Sequence, residues 1–516
     1  MVVHYLLLLV ACQLCVGFEP HPHYGPPPPP PHHHYGHHHR PPPPSSGVFN
    51  TGKQPIVFEE SGESPSYRPR PGSPGRQGGM QVLYSWIFPD FTWPSEAARE
   101  EAIRSRRYIP NNTMILDVDV YESRSGRTVF VTLPRARPGV PVTLATVTNQ
   151  KRSGANLLAP FPDWQSHTGD CGSSITSVFR THVDDCGRLW VLDSGNNNVF
   201  AGASKIVCPP QVLIYDLNNN NRLIGKYHIP QNMVADNSLF VTIAVDVRRQ
   251  DCSDSFAYIA DSIAYKMIVF DLNKQEFWRI NSVLFFPYPD QSRFNVDGVS
   301  FDLMGGIFGL AIGPLYRGNR RLYFHCIDSV KQSWVDTKEI RNNSLWKSNM
   351  NAKPRAFNLF SGTRSSQSAA ATMNNEGIMF FGLLGSNEIA CWNSRMQFSR
   401  RNIPILAKDD RTLQFNSGIK VYGDKLYVAT SRLQNYVTQR VPQNEENYRV
   451  LVGDVVSLTR GTSCQVALES DLVFPDEVAW SESENEILTQ LFDSAITSQK
   501  EDNEDQEAWI IFEDSI

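Results

Sequence analysis

The sequence predicts an all-β fold, and three observations point to a β-propeller. Beyond residue 110, short apolar runs rich in Val, Ile, Tyr and Phe alternate with turn clusters, and almost no stretch shows a helical period. Two stretches share one grammar. RLWVLDSG (188–195) followed by QVLIYDLNNNNRLIGKY matches FAYIADS (256–262) followed by KMIVFDLNKQEFWRI. Each reads strand, Asp-Ser, loop, strand ending in Tyr/Phe-Asp-Leu, Asn turn, strand. LYVATSR (426–432) echoes the opening strand, with Thr430 in place of Asp. Strand units repeated over several hundred residues favour a propeller, whose blades lean on their neighbours, over a sandwich or barrel.

The chain opens with twelve mostly apolar residues, Tyr5 to Val16, interrupted by Gln13. A bilayer needs about twenty, so residues 1–17 are read as a secretory signal peptide cleaved near Gly17, with a weak n-region holding only His4. The expected location is extracellular. No later stretch is apolar enough for a membrane helix. Residues 18–80 are low-complexity and rich in Pro, Gly, Ser and His; they are expected to be disordered or polyproline-like. Residues 95–107 read as one helix with Ser95 as N-cap and Glu96, Glu100 and Glu101 near its positive end.

Strands are expected at 127–134, 188–195, 211–217, 239–247, 255–262, 266–272, 305–313, 321–327, 377–384, 425–432 and 448–456, with His182 on a further strand in SVFRTHVDD. The propeller is assigned to 81–470. Residues 471–516 form an acidic tail: Ser481 to Ile516 holds eleven Asp/Glu and one Lys.

The formal net charge of -5 predicts neither nucleic-acid binding nor a basic membrane patch. Seven cysteines remain after the signal, none in a C-x-x-C pair, so disulfides are expected rather than a zinc cage. No HExxH, GxSxG or Cys/His constellation appears, so no catalytic set, cofactor or defined metal site is assigned. N-x-[ST] sequons at Asn111 and Asn342 allow glycosylation. His167, His182, His228 and His325 are the histidines of the globular region. His182 reads as a structural histidine, and His325 as either structural or functional. Asp193 and Asp261 occupy matching places in two repeats, where a carboxylate ties a turn to its own backbone. Asp297, before Gly298, reads first as a turn former.

GDCGSSITSVFRTHVDDCGRLWVLDSG (169–195), FAYIADS, FNVDGVSFDLMGGIFGLAI (294–312), LYFH (322–325), NEIACWNS (387–394) and LYVATSRL (426–433) stand together in one order. In this set the chain resembles the insect yellow/major royal jelly protein family, from about Tyr84 to Cys464. The resemblance implies a secreted six-bladed propeller with a central channel and a ligand pocket at one end. It implies paired cysteines at Cys171, Cys186, Cys208, Cys252, Cys391 and Cys464, with the pairing open, and leaves Cys326 as the free thiol. Family members either convert dopachrome, bind biogenic amines in the channel, or act in cuticle or eggshell pigmentation and hardening. By resemblance to the amine pocket, Gln367, Ser368 and Asn387 are the expected polar contacts, and Phe308 and Phe381 the candidate apolar walls; both Phe residues, like Trp392, read first as inter-blade core. The expected partners are a catechol, indole or biogenic amine and components of an extracellular matrix. Two alternatives stay open: a dopachrome-converting isomerase, and a matrix protein that binds no ligand.

The segment HPHYGPPPPPPHHHYGHHHRPPPP (21–44) departs from the family pattern and carries eight of the thirteen histidines. It reads as a matrix anchor, through histidines that add to quinones and tyrosines that couple oxidatively, as a passive spacer, or as a loose metal binder.

Overall fold

The alternating apolar runs form six four-stranded antiparallel sheets in a computed structural model that describes residues 79–465 apart from Ser125 and Ala203. The expected signal peptide, His/Pro-rich segment and acidic tail lie outside the described residues. Blade 1 comprises Asp117–Ser123, Gly126–Thr132, Leu144–Arg152 and Ala155–Pro160; blade 2 comprises Val178–Val183, Arg188–Asp193, Gln211–Asp216 and Arg222–His228. Blade 3 comprises Phe240–Val247, Ser255–Asp261, Lys266–Asp271 and Glu276–Ile280; blade 4 comprises Ile307–Ile312, Arg321–Cys326, Ser333–Asp336 and Phe357–Leu359. Blade 5 comprises Ala371–Met373, Ile378–Leu383, Glu388–Asn393 and Ile405–Lys408. Blade 6 takes Asn416–Tyr422, Lys425–Thr430 and Tyr448–Asp454 from the end of the domain and its outermost strand, Gln81–Trp86, from the beginning. The first strands of consecutive blades pack side by side, blade 6 against blade 1 included, and close a ring around a central channel. The protein is a six-bladed β-propeller.

The repeat read in the sequence covers the second, third and fourth strands of blades 2 and 3. Asp193, at the end of the second strand in blade 2, accepts the backbone N–H groups of Thr176 and Ser177, each at 2.7 Å, and the side-chain amide of Gln211 at 2.9 Å. Asp261 does the same work in blade 3, accepting from the Ser238 hydroxyl at 2.6 Å and the Leu239 N–H at 2.9 Å. In blade 6 Thr430 ties the same loop by donating to the Thr412 carbonyl at 3.0 Å. These contacts satisfy buried backbone groups where the chain enters each inner strand.

Apolar layers fill the space between blades. Trp190, Ile214, Ile243, Ile259 and Phe270 pack between blades 2 and 3, with Phe270 stacked on Phe277 at a centroid distance of 4.3 Å. Trp392 lies edge-on to Tyr323, Phe360 and Phe398 between blades 4 and 5.

The expected helix is shorter than 95–107. It runs Glu96–Arg104, capped by the Ser95 hydroxyl, which accepts the Ala98 N–H. It stops because Arg106 turns to a φ of 60°. A hairpin absent from the sequence reading, Arg293–Val296 with Val299–Asp302, turns through Asp297 and Gly298 at φ of 50° and 76°, the tight turn that Asp-Gly favours. Four inner strands carry an irregularity near their start: between Val178 and Thr181, Phe240 and Thr242, Ile307 and Gly309, and Asn416 and Gly418.

Ring closure rests on the strand from the N-terminal end. Trp86 is 1% exposed, and its indole N–H donates to the Asn156 carbonyl of blade 1 at 2.7 Å, so one side chain pins the last blade to the first. Trp86→Ala is expected to cost about 3–5 kcal/mol. A lowered urea midpoint with unchanged slope checks it; a loss below about 1 kcal/mol would show that closure does not depend on this residue.

A polar cavity at one end of the channel

The inner strands converge on a cavity of about 640 Å³, within the roughly 300–1,000 Å³ typical of small-molecule sites. Strand alternation explains its lining, since residues two apart share a side. Blade 1 supplies Asp117, Asp119 and Tyr121, blade 2 Arg180 and His182, and blade 6 Lys420 and Tyr422. Blades 3 to 5 add Ala244, Ala311, Ile312 and Met373, together with the polar Thr372, Asn374 and Glu376.

Arg180 is 3% exposed and crosses the channel. Its guanidinium donates to the Thr242 hydroxyl at 3.1 Å and the Val241 carbonyl at 3.5 Å in blade 3, and to the Ser417 carbonyl at 2.5 Å in blade 6. The Phe308 ring of blade 4 lies 4.7 Å from its central carbon. Val241, Phe308 and Ser417 each sit within an inner-strand irregularity. A bulge leaves backbone groups out of the ladder, and Arg180 binds two of the carbonyls so freed. Burial pulls its pKa below the ordinary arginine value, opposed by the Asp117 charge.

Lys420 lies between two carboxylates, 3.5 Å from Asp117 Oδ2 and 3.5 Å from Asp119 Oδ2, and donates to the Thr181 carbonyl. Asp119 also accepts the backbone N–H groups of Val120 and Val183, each at 3.0 Å. Burial raises the pKa of the Asp119 carboxyl, and the Lys420 charge opposes the rise. Asp117 is fully buried, and its Oδ1 has no hydrogen-bond partner among the described residues. That oxygen packs against Gly418, where a Cβ would come within 2.3 Å.

His182 projects from the same strand. It is enclosed by protein yet keeps accessible surface, because what it faces is the cavity. Burial, and then the Lys420 charge, push its pKa down to about 3. Neither ring nitrogen has a hydrogen-bond partner among the described residues.

The residues singled out in the sequence are dispersed. Gln367 donates from its side-chain amide to the carbonyls of Gln291 at 2.8 Å and Arg293 at 3.2 Å, tying the inserted hairpin to blade 5. Ser368 is fully buried, with its carbonyl 3.1 Å from His325 Nε2. Neither opens the inner strand of blade 5, which starts at Ala371; the Gln367 carbonyl is already bonded to the Leu384 N–H. Asn387 takes a φ of 53° between two strands and donates to Asp410 at 3.2 Å. Phe308 rests on Arg180 and does not border the cavity. Phe381 is fully buried in the same apolar cluster as Trp392. Asp297 accepts from the Gln414 amide at 2.7 Å.

The other histidines are accounted for. His167 is buried with Nε2 3.0 Å from the Phe161 carbonyl, His325 is buried against Ser368 as above, and His228 is exposed on an outer strand. Missed in the sequence were Asp117, Asp119, Arg180 and Lys420. Their signal was present: charged residues at alternate positions in otherwise apolar strands, DVDVY, FRTHV and IKVY.

Three disulfides form, Cys171–Cys208, Cys186–Cys252 and Cys391–Cys464, and Cys326 is free and buried. Cys186–Cys252 joins the turns after the inner strands of blades 2 and 3, and Cys186 borders the cavity. The sequon residues Asn111 and Asn342 are exposed. Among the described residues no cluster of His, Cys, Asp and Glu could hold a metal ion, and no helix is long and apolar enough to cross a membrane.

Three neutral histidines set an acid limit on stability. Burial, reinforced by the Arg135 charge, holds His167 down to about 4; His182 lies at about 3, and burial pushes His325 well below its ordinary value. In the unfolded chain these groups titrate near 6.5, so between about pH 6.5 and 4 the unfolded state binds protons that the folded state refuses. Stability is therefore expected to fall as pH falls through that window. Urea midpoints at about pH 7 and about pH 5, where most carboxylates stay ionised, check this; a midpoint unchanged or higher at the lower pH would contradict it.

The family model of the major royal jelly proteins matches residues 176–464. Protein yellow of Drosophila erecta is 34% identical over 394 residues, covering 75% of this chain and 71% of that protein. Protein yellow of Drosophila melanogaster is 33% identical with the same coverage. Dopaminechrome tautomerase of Drosophila melanogaster is 31% identical over 397 residues, covering 75% of this chain and 84% of that protein. The matched span holds more than half of the 516 residues and two of the three disulfides, Cys186–Cys252 and Cys391–Cys464, and the chain belongs to the yellow/major royal jelly protein family.

Proposed function

We propose that this protein is secreted and acts in pigmentation or hardening of a cuticle- or eggshell-like matrix, by binding a dopa- or dopamine-derived catechol or indole in its propeller channel. The observation that carries the reading is the cavity itself. It sets charged and hydrogen-bonding groups from several blades beside apolar side chains such as Ala244, Ala311 and Met373, a mixture that suits a flat ring with polar substituents. Three disulfides fit an oxidising compartment, and exposed Asn111 and Asn342 would accept glycans there. The His/Pro-rich segment would supply contacts to matrix components.

A specific observation favours a second reading, isomerisation of the bound compound. One relative carries the name dopaminechrome tautomerase. Such a conversion removes carbon-bound protons and protonates ring oxygens, so substrate and product are isomers and no cofactor is consumed. On this reading the protons would pass through titratable groups that border the cavity, among them His182, Lys420, Asp119 and Tyr121.

Fresh dopaminechrome and dopachrome, mixed with mature protein far below stoichiometry, separate the readings. Loss of visible absorbance through many equivalents, abolished by heat denaturation, establishes the isomerase. No acceleration, together with saturable dopamine binding by calorimetry, leaves the binder. Neither effect would refute ligand handling and leave a matrix protein without ligand.

A further inference from the structure

Buried histidines ordinarily find hydrogen-bond partners. His167 and His325 do so in this protein, bonding to the carbonyls of Phe161 and Ser368. His182 does not, and it is the one among them that borders the channel cavity. Its strand neighbour Thr181 offers its carbonyl to the Lys420 ammonium, which borders the same cavity and whose charge acts on the imidazole. That ammonium makes no other hydrogen bond among the described residues. The Asp117 and Asp119 oxygens lie 3.5 Å from it, beyond ordinary hydrogen-bond length, so N–H donors remain for a ligand oxygen. Arg180, from the same strand face as His182, adds a second buried cation to the cavity.

Resting on the reading of the cavity as the site for a catechol or indole, we propose that His182 and Lys420 together recognise two adjacent ring oxygens, so that the site selects catechols and ortho-quinones over rings bearing a single hydroxyl. The chemistry of the pair suits both oxidation states. A neutral imidazole holds one N–H and one lone pair. Towards a catechol, the lone pair accepts one O–H and the ammonium donates to the second oxygen. Towards an ortho-quinone, the imidazole N–H and the ammonium each donate to one carbonyl oxygen. The low proton affinity of His182 keeps it in this dual form through the neutral range, where an ordinary imidazole is partly cationic and donates only. No bond is made or broken in recognition. The selectivity therefore holds whether or not the protein also isomerises its ligand.

Calorimetric titration with dopamine and tyramine, which differ by one ring hydroxyl, tests the assignment. The wild-type protein is expected to bind dopamine about tenfold more tightly, the scale of one well-placed hydrogen bond. His182→Leu should bring dopamine down to the tyramine affinity and leave tyramine unchanged, while His182→Gln, which keeps a donor and an acceptor, should restore part of the preference. As a readout independent of substitution, the His182 imidazole resonances of the wild-type protein should shift on adding dopamine and stay in place with tyramine. Equal affinities for the two amines in a protein that does bind them would overturn the proposal alone. So would a preference that survives His182→Leu. Binding of neither amine would overturn this inference together with the reading on which it rests.

Discussion

Six sheets meeting at one axis leave a channel that their own backbones cannot fill, and in this protein the Arg180 guanidinium spans it. It reaches blade 3 through Val241 and Thr242, blade 6 through Ser417, and blade 4 through the Phe308 ring. A cation removed from water is costly unless its donors are met. Here two carbonyls freed by strand bulges and the Thr242 hydroxyl meet its terminal nitrogens, while Nε has no partner among the described residues. The bulges and the arginine are therefore one device: without the cation the Val241 and Ser417 carbonyls lose this donor, and without the bulges the cation loses its acceptors.

That arrangement fixes what stands above it. Arg180 and His182 lie on one side of the same strand, and Asp117 and Asp119 on one side of the strand beside it. Holding the first strand of blade 2 in register thus aims a neutral imidazole, two carboxylates and the lysine between them into one space. Blades 3 to 5 add small apolar side chains, Ala244, Ala311 and Met373, and polar ones, Thr372, Asn374 and Glu376. Asymmetry of this kind is open to a propeller because its blades are equivalent in shape but not in sequence.

The carboxylates met as repeats do structural work and those at the cavity do not repeat. Asp193 and Asp261 are consumed by backbone N–H groups at blade entrances. Asp117 keeps an oxygen without a partner among the described residues. Repetition marks what every blade needs to fold; departure from it marks the one place where blades 1, 2 and 6 face a ligand-sized space.

The sequence alone determined the all-β class, the propeller, the strand sites, the cysteine set with Cys326 left out, and the tying role of Asp193 and Asp261. All but the cysteine set, which the family resemblance implies, follow from period-two alternation and local turn chemistry, which act over a few residues. Gln367, Ser368 and Asn387 are expected as ligand contacts by resemblance to the amine pocket; in the fold the Gln367 amide binds the Gln291 and Arg293 carbonyls, the Ser368 carbonyl faces His325, and the Asn387 amide donates to Asp410. Only the tertiary structure decided that Lys420 meets Asp117, Asp119 and Thr181, about three hundred and about two hundred and forty residues away. It alone separated His182, without a partner, from His325, buried against Ser368. The physical reason is ring closure. Which charged residues face one another across the channel depends on strand register and on how many blades close the circle, and neither is encoded within any one strand.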